Sequence, residues 1–185
     1  MEYQKIEDNL YSIREVFSRD VFLSGVEEFN PNNNNWVFSK AENDDEQFPR
    51  IGFLYKVDSQ GVGENLALIN LGVIAKFICQ RILKKNLILQ RVNTNIQYFG
   101  QESTLHLDGP RNNQWSLVVF MSPFWSPEWG GEFVLGNQIS IPYIPNSAVL
   151  FKSNAYHKGS APNRYCNHPR LSLAFLFEEQ EITSK

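Results

Sequence analysis

A chain of 185 residues has room for one domain with a hydrophobic core and little room for two. Its 42% hydrophobic and 20% charged residues are ordinary for a globular protein, and a net charge of -3 supplies no broad basic field for nucleic acid or an anionic membrane. Fourteen Phe, seven Tyr and four Trp lean the composition towards strands and a β-rich core.

The chain opens MEYQKIEDNL, with no cationic start followed by an apolar run, so no secretory signal is expected. A helix is expected from about Asp20 to Phe29, capped by Ser18 or Asp20. The run Asn32 to Asn35 and the acidic stretch Glu42 to Glu46 read as exposed turns. From Glu64 to Lys85 a second helix is expected, with Leu66, Ile69, Val73, Ile74, Phe77, Ile78 and Ile82 as its buried stripe. Lys76, Arg81, Lys84 and Lys85 make this region too charged for an expected membrane span. After Leu87 the period changes to two: Val92, Thr94, Ile96 and Tyr98 alternate with polar residues. Strands are then expected at Thr104–Leu107, Trp115–Met121, Glu132–Leu135, Ile139–Ile144, Ala148–Lys152 and Leu171–Phe177. Turn signals such as Asp108-Gly109-Pro110, Gly130-Gly131 and Pro145-Asn146 separate them. The expectation is therefore a single domain over 1–185, with helical support over about 1–86 and a β sandwich or barrel over about 87–179. With only Cys79 and Cys166, a disulfide framework is not expected, and a reducing cytoplasm is the expected compartment.

Three histidines occur, His106, His157 and His168. His106 and Asp108 stand two apart, so on a strand both side chains project from one face. His157, returning from a later strand, can complete two imidazoles and a carboxylate. That set occupies one face of an octahedron and leaves three positions open, as non-haem iron(II) oxygenases need; zinc accepts the same donors. Taken alone, His-x-Asp is a weak signal, and Asp-Gly-Pro is a natural turn whatever the chemistry.

Arg170 adds to it. It opens the strand Arg170-Leu171-Ser172-Leu173-Ala174-Phe175, in which Leu171, Leu173 and Phe175 take the opposite face. Arg170 and Ser172 can then grip one carboxylate together, a guanidinium fork beside a hydroxyl. His168, before Pro169, reads as a turn residue.

In order and spacing these parts resemble the iron(II)/2-oxoglutarate oxygenases, most closely the prolyl-hydroxylase-like branch. The resemblance runs from about Asn93 to Glu178 and is carried by six elements in family order. They are Gly100-Gln101, His106-x-Asp108, Trp129-Gly130-Gly131-Glu132-Phe133, Pro145-x-x-Ala148-Val149-Leu150-Phe151, His157-x-Gly159 and Arg170-x-Ser172. The resemblance implies a double-stranded β-helix (a jelly-roll, cupin-like) whose open end binds Fe(II) through His106, Asp108 and His157. It implies 2-oxoglutarate held by Arg170 and Ser172, consumption of O2, ascorbate as reductant, and hydroxylation of an unactivated C–H bond. Asp108 argues against a halogenase, which leaves that position to chloride. Two features depart from the branch. Arg170 stands where its prolyl hydroxylases often have Lys, and the tyrosine nine residues before the first histidine is replaced by Gln97, with Tyr98 one place later. Tyr98 is kept as a candidate cosubstrate contact, although one residue of shift reverses a strand side chain.

Trp125 and Trp129, flanking Pro127, are candidates for a substrate-stacking mouth, as are Arg111, Asn163 and Arg164 on nearby loops; ordinary packing and solvent exposure are the plain alternatives. Three functions follow: a protein or peptide hydroxylase acting on proline, a hydroxylase of a free amino acid or other small metabolite, or a non-catalytic cupin-like metal-binding barrel.

Overall fold

The computed structural model describes residues 1–30, 37–39, 50–55, 66–136 and 138–180, so the Asn32 to Asn35 and Glu42 to Glu46 segments lie outside the described residues. The chain begins with a hairpin of β1 (Glu2–Glu7) and β2 (Leu10–Arg14), joined at Asp8-Asn9, where Asn9 takes the left-handed region at φ 64°. The hairpin adds strands to the helical support expected over about the first 86 residues. Every residue of β1 is exposed, so its sequence carries no alternation to betray a strand, and its charges suit a sheet edge. Helix α1 (Arg19–Glu28) starts at Ser18, whose Oγ accepts the Val21 N–H at 3.5 Å.

Helix α2 (Leu66–Leu83) forms where periodicity places it, but it buries a different face. Leu68, Leu71, Gly72, Ala75, Cys79 and Ile82 are buried, whereas Leu66, Val73 and Phe77 of the expected stripe are 76%, 42% and 63% exposed. The helix is apolar nearly all round, so three- and four-residue steps trace more than one stripe. Close approach decides between them: a Cβ on Gly72 would lie 2.5 Å from Leu89 Cδ2. Within the helix itself the only charges are Lys76 and Arg81, and by length and composition it could cross a membrane; here its buried face packs on the sheet.

The remaining strands are β3 (Val37–Ser39), β4 (Arg50–Tyr55), β5 (Leu87–Gln97), β6 (Gln114–Phe120), β7 (Phe133–Leu135), β8 (Ile139–Ile141), β9 (Ala148–Lys152), β10 (His157–Gly159) and β11 (Arg170–Glu179). They form an eight-stranded sheet, β1-β2-β9-β6-β11-β5-β4-β3, and a three-stranded sheet, β10-β7-β8, antiparallel throughout. The expected strand at Thr104–Leu107 is reduced to one bridge between His106 and His157, and β8 stops before Pro142, which has no N–H to donate. Strand β6 is buried at all seven positions because both faces of the large sheet are covered. Leu117 and Val119 pack with the helices, while Val118 and Phe120 meet Phe133 and Ile141 of the small sheet. Two sheets packed across such an interior make the double-stranded β-helix.

One irregularity aims the interior. β5 pairs with β11 so that Arg91 faces Leu176 but Leu89 faces Phe177, leaving Gln90 as an extra residue. Before this bulge Leu87 and Leu89 join the helix-side core; after it Val92 and Ile96 do. The bulge reverses the parity of the strand, and Asn93, Asn95 and Gln97 consequently line the recess between the sheets.

At the other end of β11, Glu179 ties three elements together. It accepts from Lys85 Nζ at 2.7 Å, Lys152 Nζ at 3.0 Å and Trp115 Nε1 at 2.6 Å. Partial burial pushes its carboxyl up, but these bonds outweigh it and hold the pKa at about 2, below the ordinary 4.5. A depressed native pKa stabilises the fold above the unfolded value and loses that contribution as pH falls towards 2. Glu179→Gln is therefore expected to lower the thermal midpoint at about pH 7 and to shrink its fall between about pH 5 and pH 2, read by circular dichroism.

Candidate active site

His106 and His157 sit directly opposite one another across the isolated bridge. Each N–H donates to the other's carbonyl at 3.0 Å, so both side chains leave from the same side, with ring centroids 4.4 Å apart. The Nδ1 atoms lie 3.0 Å from the carbonyl oxygens of Thr104 and Ala155 respectively. A carbonyl can only accept, so Nδ1 carries a proton in each ring and Nε2 is the nitrogen turned towards Asp108. The carboxylate of Asp108 faces those nitrogens, Oδ1 at 3.9 Å from His106 and Oδ2 at 3.5 Å from His157. Asp108 is fixed from behind: its N–H donates to Ser153 O at 3.1 Å, and its carbonyl accepts from Arg91 Nη2 at 3.1 Å.

The three donor atoms lie within 4.8 Å of one another, and all three side chains are largely buried. Adjacent ligands on an octahedron with bonds of about 2.1 Å stand about 3 Å apart, so the observed gaps need only a small closure around a divalent ion. Two imidazoles and one carboxylate are also the right donor set for iron(II). Phe133 and Phe151 pack on the His157 ring at 5.5 and 4.5 Å between centroids and shield it from water.

Arg170 lies in the same recess, 2% exposed. Its Nε donates to Gly131 O at 2.8 Å and its Nη1 to Gln97 Oε1 at 2.9 Å, while Ser172 Oγ is 3.5 Å from Nη1. The guanidinium lies 5.2 Å from the Tyr143 ring centroid and 5.7 Å from that of Phe120. Burial pulls its pKa down, against weaker opposing pulls from Tyr143, Glu102 and Glu132. Among the described residues no carboxylate comes within 4.0 Å of it. A buried cation cradled only by neutral acceptors and rings attracts an anion.

The other sequence candidates stand elsewhere. Tyr98 follows the end of β5 and is 38% exposed; Gln97, on the parity set by the bulge, takes the inner place. Trp125 is buried, donates from Nε1 to Gly130 O at 2.9 Å, and supports the glycine turn. Trp129 belongs to an aromatic cluster with Phe124, Trp125 and His168. Neither tryptophan lines the recess, so packing wins over stacking. Asn163 is a structural tie, donating to Glu128 O through its side chain and to Trp129 O through its N–H at 2.8 Å. Arg164 lies over Tyr165 on the surface, and Arg111 pairs with Glu178 at 3.0 Å. Glu178 is eight residues along β11 from Arg170, roughly 27 Å at strand rise.

Sequence reasoning missed Gln97, Asn95 and Asn93 as recess residues, and also Gly159. A Cβ on Gly159 would stand 3.0 Å from both Nη atoms of Arg170. The signal for the amides was the Asn-x-Asn-x-Gln repeat on one strand face, which only the bulge makes interpretable.

Residues 93–178 match the family model of the 2OG-Fe(II) oxygenase superfamily. That segment, just under half of the chain, carries the likeness to the 2OG-Fe(II) oxygenases. The chain is a 2-oxoglutarate-dependent dioxygenase that uses Fe(II) and 2-oxoglutarate. No curated protein matches its sequence. Solved oxygenases share the fold at low identity. A 2OG-Fe(II) oxygenase family oxidoreductase from Burkholderia pseudomallei is 14% identical, with 93% of this chain and 86% of that one covered and a TM-score of 0.71. A prolyl-4-hydroxylase from Pseudomonas putida is 16% identical over 94% of each chain, with a TM-score of 0.64. The epimerase SnoN, in complex with Fe3+, alpha ketoglutarate and nogalamycin RO, is 10% identical, over 92% of this chain and 78% of its own, with a TM-score of 0.67.

In this oxygenase Gly131 carries two constraints, a φ of +81° and a Cβ position 2.8 Å from Trp125 Cζ2. Gly131→Ala is expected to cost about 1–3 kcal/mol of stability, measured as a lower urea midpoint, because the carbonyl that receives Arg170 Nε must move.

Proposed function

We propose that His106, Asp108 and His157 hold iron(II), that Arg170 and Ser172 grip the far carboxylate of 2-oxoglutarate, and that the enzyme hydroxylates a C–H bond of a protein or peptide, as prolyl hydroxylases do. The observation that carries this reading is a buried guanidinium that meets no acid partner among the described residues, in one recess with two imidazoles and a carboxylate whose donor atoms converge. Bound there, iron(II) with 2-oxoglutarate and oxygen supplies the oxidising power for the hydroxylation. The chain's own residues do the rest. Thr104 and Ala155 keep the ring protons on Nδ1, Gln97 pre-orients Arg170, and Phe133 with Phe151 excludes water from the His157 side.

The prolyl-4-hydroxylase likeness over nearly the whole chain supports a peptide substrate. A second reading, a small polar metabolite, is supported by the amides Asn93, Asn95 and Gln97 on the recess wall and by the likeness to an enzyme crystallised with nogalamycin RO.

The first test is succinate formation from 2-oxoglutarate with Fe(II), ascorbate and oxygen; a protein that makes none is not a working oxygenase. Asp108→Ala is expected to lower iron(II) affinity by at least about a hundredfold and to abolish hydroxylation, checked by metal titration. Arg170→Ala is expected to raise the 2-oxoglutarate KM by about two orders of magnitude, since a buried charge-assisted pair is lost; an unchanged KM removes Arg170 from the role. Incubation with a peptide library and with a metabolite extract, reading the mass gain of one oxygen atom, separates the two substrate classes.

A further inference from the structure

The polar side chains that β5 turns inward are engaged at both ends of their row and open at one point between. Arg91 donates to the Asp108 carbonyl at 3.1 Å, and Gln97 Oε1 accepts from Arg170 at 2.9 Å. Between them the Asn93 Oδ1 is buried and, among the described residues, accepts no hydrogen bond. Asn93 lies opposite Ala174 of β11, whose methyl offers no donor, and lines the recess that holds His106, Asp108 and His157. An amide oxygen taken out of water without a donor is unfavourable, so its place at this recess calls for a partner.

For Oδ1 the cosubstrate cannot be that partner. At neutral pH 2-oxoglutarate carries two carboxylates and a keto oxygen, all acceptors. We propose that Asn93 is a specificity-determining residue that accepts a hydrogen bond from an N–H or O–H of the primary substrate and so seats the neighbouring C–H bond beside the triad. This rests on the oxygenase reading above and narrows its substrate class to molecules with a donor close to the oxidised carbon. A peptidyl proline ring has no N–H, so a prolyl peptide must present its donor from an adjoining residue. With the amide rotated by half a turn, Nδ2 would face the recess instead, and the natural partner would be a cosubstrate carboxylate.

The experiment uses the full chain loaded with Mn(II) and 2-oxoglutarate. The probes are small primary amides and alcohols, each matched with its N,N-dimethyl amide or methyl ether, and the readout is paramagnetic broadening of the probe's proton resonances. Donor-bearing probes are expected to bind at least about fivefold more tightly than their matched partners. Asn93→Leu should erase that difference and leave the 2-oxoglutarate Kd within about twofold; Asn93→Asp, which can only accept, should keep the difference. The proposal is overturned if wild type does not discriminate within pairs, if a folded Asn93→Leu still discriminates, or if Asn93→Asp loses discrimination. A 2-oxoglutarate Kd raised about fivefold or more by Asn93→Leu also overturns it, by making Asn93 a donor to the cosubstrate. If wild type binds neither Mn(II) nor 2-oxoglutarate, the oxygenase reading itself fails and this inference falls with it. That result is distinct from a loaded protein that does not discriminate.

Discussion

Two peptide groups, those of His106 and His157, exchange both of their hydrogen bonds, and the chemistry of the recess depends on that exchange. In an antiparallel pair, directly opposed residues send their side chains to the same face. Two imidazoles 51 residues apart in sequence thereby become neighbours without help from any regular strand around His106. Each ring is then locked by a carbonyl two residues earlier in its own segment, at Thr104 and Ala155. The same device, used twice, fixes the position of both rings, and Asp108 needs only to follow His106 by two residues to join them.

The opposite end of the recess works by withholding a charge. Burying a guanidinium beside an acid would neutralise it and remove its pull on a ligand. Arg170 instead rests on the Gly131 carbonyl, the Gln97 amide and the faces of Tyr143 and Phe120, all of them neutral. Gly159 lets this cradle close, because any side chain there would press on both Nη atoms. The cost is carried by the hydrophobic packing on either side of the sheet, and the benefit is a cation whose strongest available partner is a diffusible anion.

How much of this was legible in the sequence follows from what each signal encodes. His-x-Asp and Arg-x-Ser are separations of two, and the same-face rule reads such separations even where, as at His106, the strand shrinks to a bridge. The place of Gln97 was not legible, because its parity depends on the extra residue Gln90, a feature of the pairing with β11 that no local pattern announces. The buried stripe of α2 was misread for a related reason: nearly uniform apolar sequence makes periodicity degenerate, and Gly72 against Leu89 breaks the tie only in three dimensions. Trp125 and Trp129 stand beside a glycine turn, where the sequence allows stacking on a substrate or ordinary packing, and the aromatic cluster absorbs both rings as packing. Strand β1 is entirely exposed and offered no hydrophobic signal.

The paired strands β5 and β11 also grade the recess from one end to the other. Gln97 faces Arg170, Asn95 faces Ser172, and Asn93 faces Ala174, so the wall passes from cationic to neutral polar to half apolar. Four residues of strand from Gln97 to Asn93 span roughly 13 Å. A five-carbon diacid reaches roughly 5–6 Å from end to end along its carbons, which is less than half of that length. A ligand held by Arg170 therefore uses the cationic and middle levels and does not reach along the whole wall. The level of Asn93 and Ala174 is set apart by distance as well as by hydrogen-bonding sign, and a second molecule is the occupant that both properties suit.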